Sequence, residues 1–264
     1  MTKSALLAPR TCHPNLPHFG PLTFFVSELE NLLSHFSIAD SFDLLGHSWG
    51  SILAAEFIIR RQPKGLKHVV LANALASAKL RNEARVKLRK ELPEDVQEVI
   101  RRHEEAGTTK EAEYKQAMLR FYERHLCRLQ PFPEEVLYSF KQSELDDTVL
   151  KNMYASISLL PSSPVSPHPV DLCRIKGPDF GHVVCRQKNG LEDKWDITDK
   201  IHLIRVPTLL LNGEHDFETD EVCAPFFWGI DKIKWVKFAK SSHMPHWEER
   251  ERYIEVVGSF LRDV

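Results

Sequence analysis

Gly46-His47-Ser48-Trp49-Gly50 places a serine between two glycines, after the short, mostly apolar run Phe42 to Leu45 and before the apolar run Ile52 to Ile59. A serine hydroxyl at its free pKa is a weak nucleophile. It becomes a good one when a histidine takes its proton and a carboxylate holds that histidine in the right tautomer. G-x-S-x-G between a strand and a helix is the turn that strains a serine and exposes its hydroxyl, and side chains at either glycine are expected to meet the neighbouring strand or helix. The bland alternative is a serine in a plain glycine-rich turn, which the flanking strand and helix signals disfavour.

The partners are sought downstream, in the order acid then histidine. "LLLNGEHDFE" puts Asp216 just past a strand signal, and "FAKSSHMPHWEE" puts His243 just past the next one. Ligands and reacting groups of open α/β sheets collect at that edge. Asp216 also fits a loop-capping role, and His243 is one of thirteen histidines. His243 and His246, three apart, are a weak metal signal, since no H-E-x-x-H and no third ligand cluster accompany them.

The elements that must position these residues read as an α/β fold. From Leu22, Phe25, Leu29, Leu32, Leu33 and Phe36 recur at helical spacing. Phe42 to Leu45 and Lys67 to Ala72 read as strands flanking the helix at Ile52 to Ile59, a parallel crossover unit. Arg81 to Arg124 is dense in Lys, Arg and Glu, with Tyr114, Met118, Phe121 and His125 on one helical stripe. Strand signals resume at Val206 to Gly213 and Ile233 to Ala239. A closing helix follows near Tyr253 to Leu261, with Ile254, Val257, Phe260 and Leu261 on one face. The expected organisation is a parallel-sheet core from residues 1–80 and 190–264, interrupted by a helical layer at 81–189. Four prolines within 154–176 forbid a helix there and read as a loop.

The 264 residues suit one such domain. A formal net charge of -2 with interspersed signs leaves no electrostatic footprint for nucleic acid or an anionic membrane. Cys12, Cys127, Cys173, Cys185 and Cys223 lack C-x-x-C spacing and read as buried or free thiols of a reducing compartment. The start, "MTKSALLAPR", has too short an apolar core for a signal peptide, and no apolar run approaches bilayer length. The expectation is a soluble, cytoplasmic protein with a small partner.

Four stretches carry a resemblance: "LLGHSWG", "FYERHLCRLQPFPEEV" (Phe121 to Val136), "DKWDITDKIHLIRVPTLLLNGEHD" (Asp193 to Asp216) and "SSHMPHWEERERY" (Ser241 to Tyr253). In these the sequence resembles the proline iminopeptidase-like α/β-hydrolases, prolyl aminopeptidases and amino-acid amidases, over most of Leu22 to Asn152 and Gly177 to Leu261. The resemblance implies a helical cap at 81–189, no cofactor, and a small peptide or amino-acid amide as substrate. It implies Ser48 as nucleophile, His243 as general base and acid, Asp216 as orienting carboxylate and the Trp49 N–H as an oxyanion-hole donor. The family binds a substrate's free amine with carboxylates. Asp179, in "GPDF", and Glu218 stand nearest those positions, with Phe217 where the family usually has an acid directly after the triad aspartate.

The chain also departs from the family, whose "HGGPG"-type loop supplies a second oxyanion donor ahead of the elbow. The nearest match here, "HFGP" from His18 to Pro21, stands too close to Ser48 for the intervening elements. The sheet is therefore expected to lack its first strands and to expose the Phe42 to Leu45 strand as an edge open to self-association. Two alternatives remain beside the aminopeptidase: a catalytically impaired remnant or interaction protein, and an esterase using the same three residues.

Overall fold

The structure, a computed structural model, describes residues 21–145 and 195–262. Asp179, the proline-rich stretch 154–176, all of the "HFGP" match but Pro21, and three of the cysteines lie outside them. The order is α1 (Pro21–His35), β1 (Phe42–His47), α2 (Trp49–Arg61), β2 (Leu66–Ala72), α3 (Ala78–Arg89), α4 (Glu94–Ala106), α5 (Ala112–His125) and α6 (Glu134–Leu145). After the gap come a 3-10 turn (Ile201–Leu203), β3 (Thr208–Gly213), α7 (Asp220–Gly229), β4 (Ile233–Phe238), the one-turn α8 (Pro245–Glu248) and α9 (Arg250–Arg262).

The four described strands are parallel, in the order β1-β2-β3-β4. β2 and β3 are the central pair, which explains why "VVLA" and "TLLL" are apolar without alternation: both sheet faces are covered. Val69, Leu71 and Leu210 face α1, α2 and α7, together with Ile52, Phe57 and Phe226. Val70, Ala72, Leu209 and Leu211 face the other side, under Tyr253 and Val257 of α9. Each Val, Leu, Ile or Phe side chain among them stabilises by about 1.5 to 3 kcal/mol when fully buried. β1 is an edge strand among the described residues, and Leu45 on it is 45% exposed.

The helices between β2 and β3 carry a separate apolar cluster. Leu92 and Ile100 meet the α5 stripe of Tyr114, Met118 and Phe121, and Phe217, from the loop after β3, is part of this cluster. Ala84 of α3 instead packs into the sheet's core, as do Trp195 and Ile197 where the chain returns. Trp195 donates its indole N–H to the buried Glu56 of α2 at 2.8 Å. No described helix is long and apolar enough to cross a membrane.

Two helical stripes differ from the sequence reading. In α1 the buried face is Leu22, Val26 and Leu33, while Leu32, and Phe36 just past the helix, are exposed. In α9, Tyr253 and Val257 are buried and Ile254 is exposed. Both stretches hold more apolar residues than one stripe can bury, so spacing alone leaves the phase open.

Candidate active site

β1 ends and α2 begins with one residue between them, Ser48, at φ 54° and ψ -118°. Such a backbone costs on the order of 1 to 3 kcal/mol unless its surroundings over-determine it. Here they do: the Ser48 N–H donates to the Ala72 carbonyl of β2 at 2.9 Å, and its carbonyl accepts from the Ser51 N–H at 2.9 Å and the Ser51 hydroxyl at 2.6 Å. A Cβ on Gly46 would run into the Gly50 carbonyl, so that position tolerates only glycine. The expectation for the second glycine is corrected: a Cβ on Gly50 would meet open space, because the turn has already swung into the helix there. Trp49 opens α2, so its N–H is among those with no carbonyl of the same helix to bond.

Asp216 follows β3 and His243 follows β4, both at the carboxyl edge of the parallel sheet where Ser48 stands. Gly213 lets the two loops meet, since a Cβ there would strike the carbonyls of Ser241 and Ser242. His243 Nδ1 and Asp216 Oδ1 are 2.8 Å apart, with both residues buried. Asp216 also accepts from the Asn73 amide at 2.6 Å and the Glu218 N–H at 2.9 Å. Three donors suit an ionised carboxylate. An ionised Asp216 requires the proton on Nδ1, which leaves the lone pair of His243 on Nε2.

The His243 loop is held from two sides. His47, beside the serine, donates Nε2–H to the His243 carbonyl at 2.8 Å, and their rings lie 4.9 Å apart. Glu248 accepts from the N–H and hydroxyl of Ser242, each at 2.8 Å, and from the Arg128 N–H of the helical layer at 2.7 Å. Phe217 stacks on the His243 ring, centroids 4.1 Å apart. His125 of α5 donates Nδ1–H to the His215 carbonyl at 2.9 Å, tying that layer to the loop after β3.

Burial dominates the titration of these groups. It raises Asp216 to about 7, although the Asn73 amide and the Glu218 N–H pull the other way. It lowers His243 to about 3, and Arg85 adds to that. Two groups coupled this closely share their protons, so the pair takes up its first proton near pH 7. His47 and His246 are each lowered to about 3, again first by burial, and are neutral at that pH.

The candidate residues are thus partly assembled. Asp216 and His243 are bonded, and His47 connects the strand leading to Ser48 with the His243 loop. Glu218 is buried, with its Oε1 3.8 Å from Arg85 Nη2. Asn73 and Arg85 are site neighbours with no signal in the sequence, whereas His47, Phe217 and Glu248 adjoin the motif residues in the chain but show their contacts only in the fold.

A strained serine turn and a buried His–Asp pair on one edge of a parallel sheet define an α/β-hydrolase, and the family described as alpha/beta hydrolase fold matches residues 10–250. Among curated relatives, the proline iminopeptidase of Thermoplasma volcanium is 30% identical over 91% of this chain and 72% of its own. That of Heyndrickxia coagulans is 32% identical over 91% and 73%. The chain belongs to the proline iminopeptidase family of α/β-hydrolases. The solved proline iminopeptidase of Mycobacterium smegmatis superposes with a TM-score of 0.74 at 32% identity, over 94% of this chain and 74% of the other. VinJ superposes with a TM-score of 0.76 at 36% identity, over 92% and 73%.

Proposed function

We propose that this hydrolase releases an N-terminal, proline-like residue from a small peptide or amide through an acyl-enzyme on Ser48. The Ser48 oxygen attacks the carbonyl carbon while Nε2 of His243 takes the hydroxyl proton, and the Trp49 N–H donates to the developing oxyanion. The intermediate collapses, the leaving amine takes the proton from His243, and water then hydrolyses the ester in the same way. Asp216 keeps Nδ1 protonated throughout. The observation that carries this reading is the buried 2.8 Å bond between His243 Nδ1 and Asp216, at the same carboxyl edge of the sheet as a serine held at φ 54°.

A substrate ammonium would be bound by Glu218, with Asp179 as the second carboxylate. The proximity of Arg85 to Glu218 favours a second reading, in which that carboxylate is already matched and an ester or amide needs no free amine. Turnover of proline amide against N-acetylproline amide separates the two. The aminopeptidase reading expects a strong preference for the free amine, since blocking it leaves a buried carboxylate without its cation. Equal rates favour the esterase, and Ser48→Ala should lower either rate at least about a thousandfold. Full activity in Ser48→Ala would refute both.

A further inference from the structure

Arg85 projects from α3 toward the loop after β3, where no requirement of the reaction as written places a cation. Its guanidinium carbon lies 4.5 Å from the centre of the Phe217 ring, and Nη2 is 3.8 Å from the buried Glu218 carboxylate. Phe217 in turn stacks on His243 at 4.1 Å, with 28° between the planes. Phe121 of α5 lies near-parallel to the same ring at 6.4 Å. A guanidinium over an aromatic face is attractive, and its planarity suits stacking. Residues 216–218 therefore run from the carboxylate bonded to His243, through the ring stacked on His243, to the carboxylate paired with Arg85.

We propose that Arg85 is a positioning residue for the Asp216–His243 pair: it fixes Phe217 against the His243 ring and keeps a permanent positive charge beside the pair. The proposal rests on reading that pair as the acid–base machinery of the site. Its physical content is that a pair with a cation beside it resists taking up a proton, so His243 stays able to act as a base to lower pH than it would without that charge. The field of Arg85 acts in the same direction on both partners, lowering Asp216 and His243. The other groups around the pair are His47 at the end of β1, His125 of α5, His246 of α8, Cys223 of α7 and Glu218 in the loop itself. Burial keeps His47 and His246 neutral, lowers His125 and pushes the Cys223 thiol well up. Glu218 is the opposing charge, and it is the one that Arg85 faces.

The test is a pH titration of the His243 ring by NMR in the full chain carrying isotope-labelled histidine, comparing the parent with Arg85→Gln, Arg85→Lys and Glu218→Gln. End to end, the two ring contacts put the guanidinium within about 9 Å of His243, where a unit charge at an effective dielectric of ~20 to 40 moves a titration by about one pH unit. Arg85→Gln should raise the pair's midpoint by that amount, and Arg85→Lys should restore most of it. Glu218→Gln should lower it, a shift of opposite sign that remains readable if Arg85→Gln does not fold. A structural tie alone would leave the midpoint in place, so an unchanged midpoint in folded Arg85→Gln or folded Glu218→Gln overturns the proposal. The titration needs no turnover. Failure of Ser48 to react with an active-site probe would count against the catalytic reading alone.

Discussion

Asn73 offers a quantitative test of how Asp216 is held. It follows β2 directly, is fully buried, sits at φ 53°, and donates its amide to Asp216 Oδ2 at 2.6 Å. Asn73→Ala removes a hydrogen bond to a buried charged acceptor, about 1.5 to 3 kcal/mol, and forces a Cβ-bearing residue without asparagine's local bonding into the left-handed region, about 1 to 2 kcal/mol more. A loss of roughly 2.5 to 5 kcal/mol is expected at alkaline pH. The pH dependence follows from the sign of the shift. Asp216, raised to about 7 in the folded chain, contributes stability that is present below the unfolded carboxyl value and lost as pH rises through 7. His243, lowered to about 3, contributes in the opposite sense over much of the same range, so the difference between parent and variant is what reads the amide. Without the amide the folded value climbs further, so the deficit of Asn73→Ala should grow between about pH 6 and pH 8.5, and the neutral carboxyl at the lower pH misses its donor less. Urea unfolding of parent and variant at both pH values reads this directly, with Asn73→Gly as a control that keeps the backbone relaxed. A deficit below about 1 kcal/mol, or one equal at the two pH values, would refute the argument that Asn73 supports an ionised Asp216.

Three further outcomes are expected. Gly46→Ala should prevent stable folding because its Cβ strikes the Gly50 carbonyl, whereas Gly50→Ala, in the first turn of α2 with open space around it, should be neutral or stabilising by up to about 1 kcal/mol in thermal melts. The rate at which an active-site probe modifies Ser48 should rise with pH through about 7, since the Asp216–His243 pair must lose its shared proton to act as a base; a rate flat across that range would contradict the pairing. The β1 edge, with Leu45 45% exposed, should drive concentration-dependent association in light scattering that Leu45→Lys reduces, while a monomer at every concentration would show that the edge is covered.

The sheet was legible in the sequence because its strands are short apolar runs ending at the residues that matter: Gly46 before Ser48, Gly213 before Asp216, Phe238 before His243. α7 was not, for it contains Pro225 and too little polar contrast for a periodic signal. The phases of α1 and α9 were ambiguous for the opposite reason, an excess of apolar positions. At the site, the three motif residues are legible because their chemistry demands particular types in a particular order. Asn73, Phe217 and Arg85 are not, since each acts through a contact made only when distant segments converge: 143 residues separate Asn73 from its carboxylate. A requirement on shape, such as room for a Cβ at Gly50, likewise follows from the folded turn rather than from the motif that contains it.

The central claim, that Ser48 is activated by the buried His243–Asp216 pair, is tested most directly by mass-spectrometric mapping of a fluorophosphonate adduct on the intact chain. The account predicts one modified residue, Ser48, with labelling abolished in Ser48→Ala and in His243→Ala while both variants remain folded. Labelling of Ser48→Ala equal to the parent, or labelling of the parent that persists unchanged in His243→Ala, would contradict it.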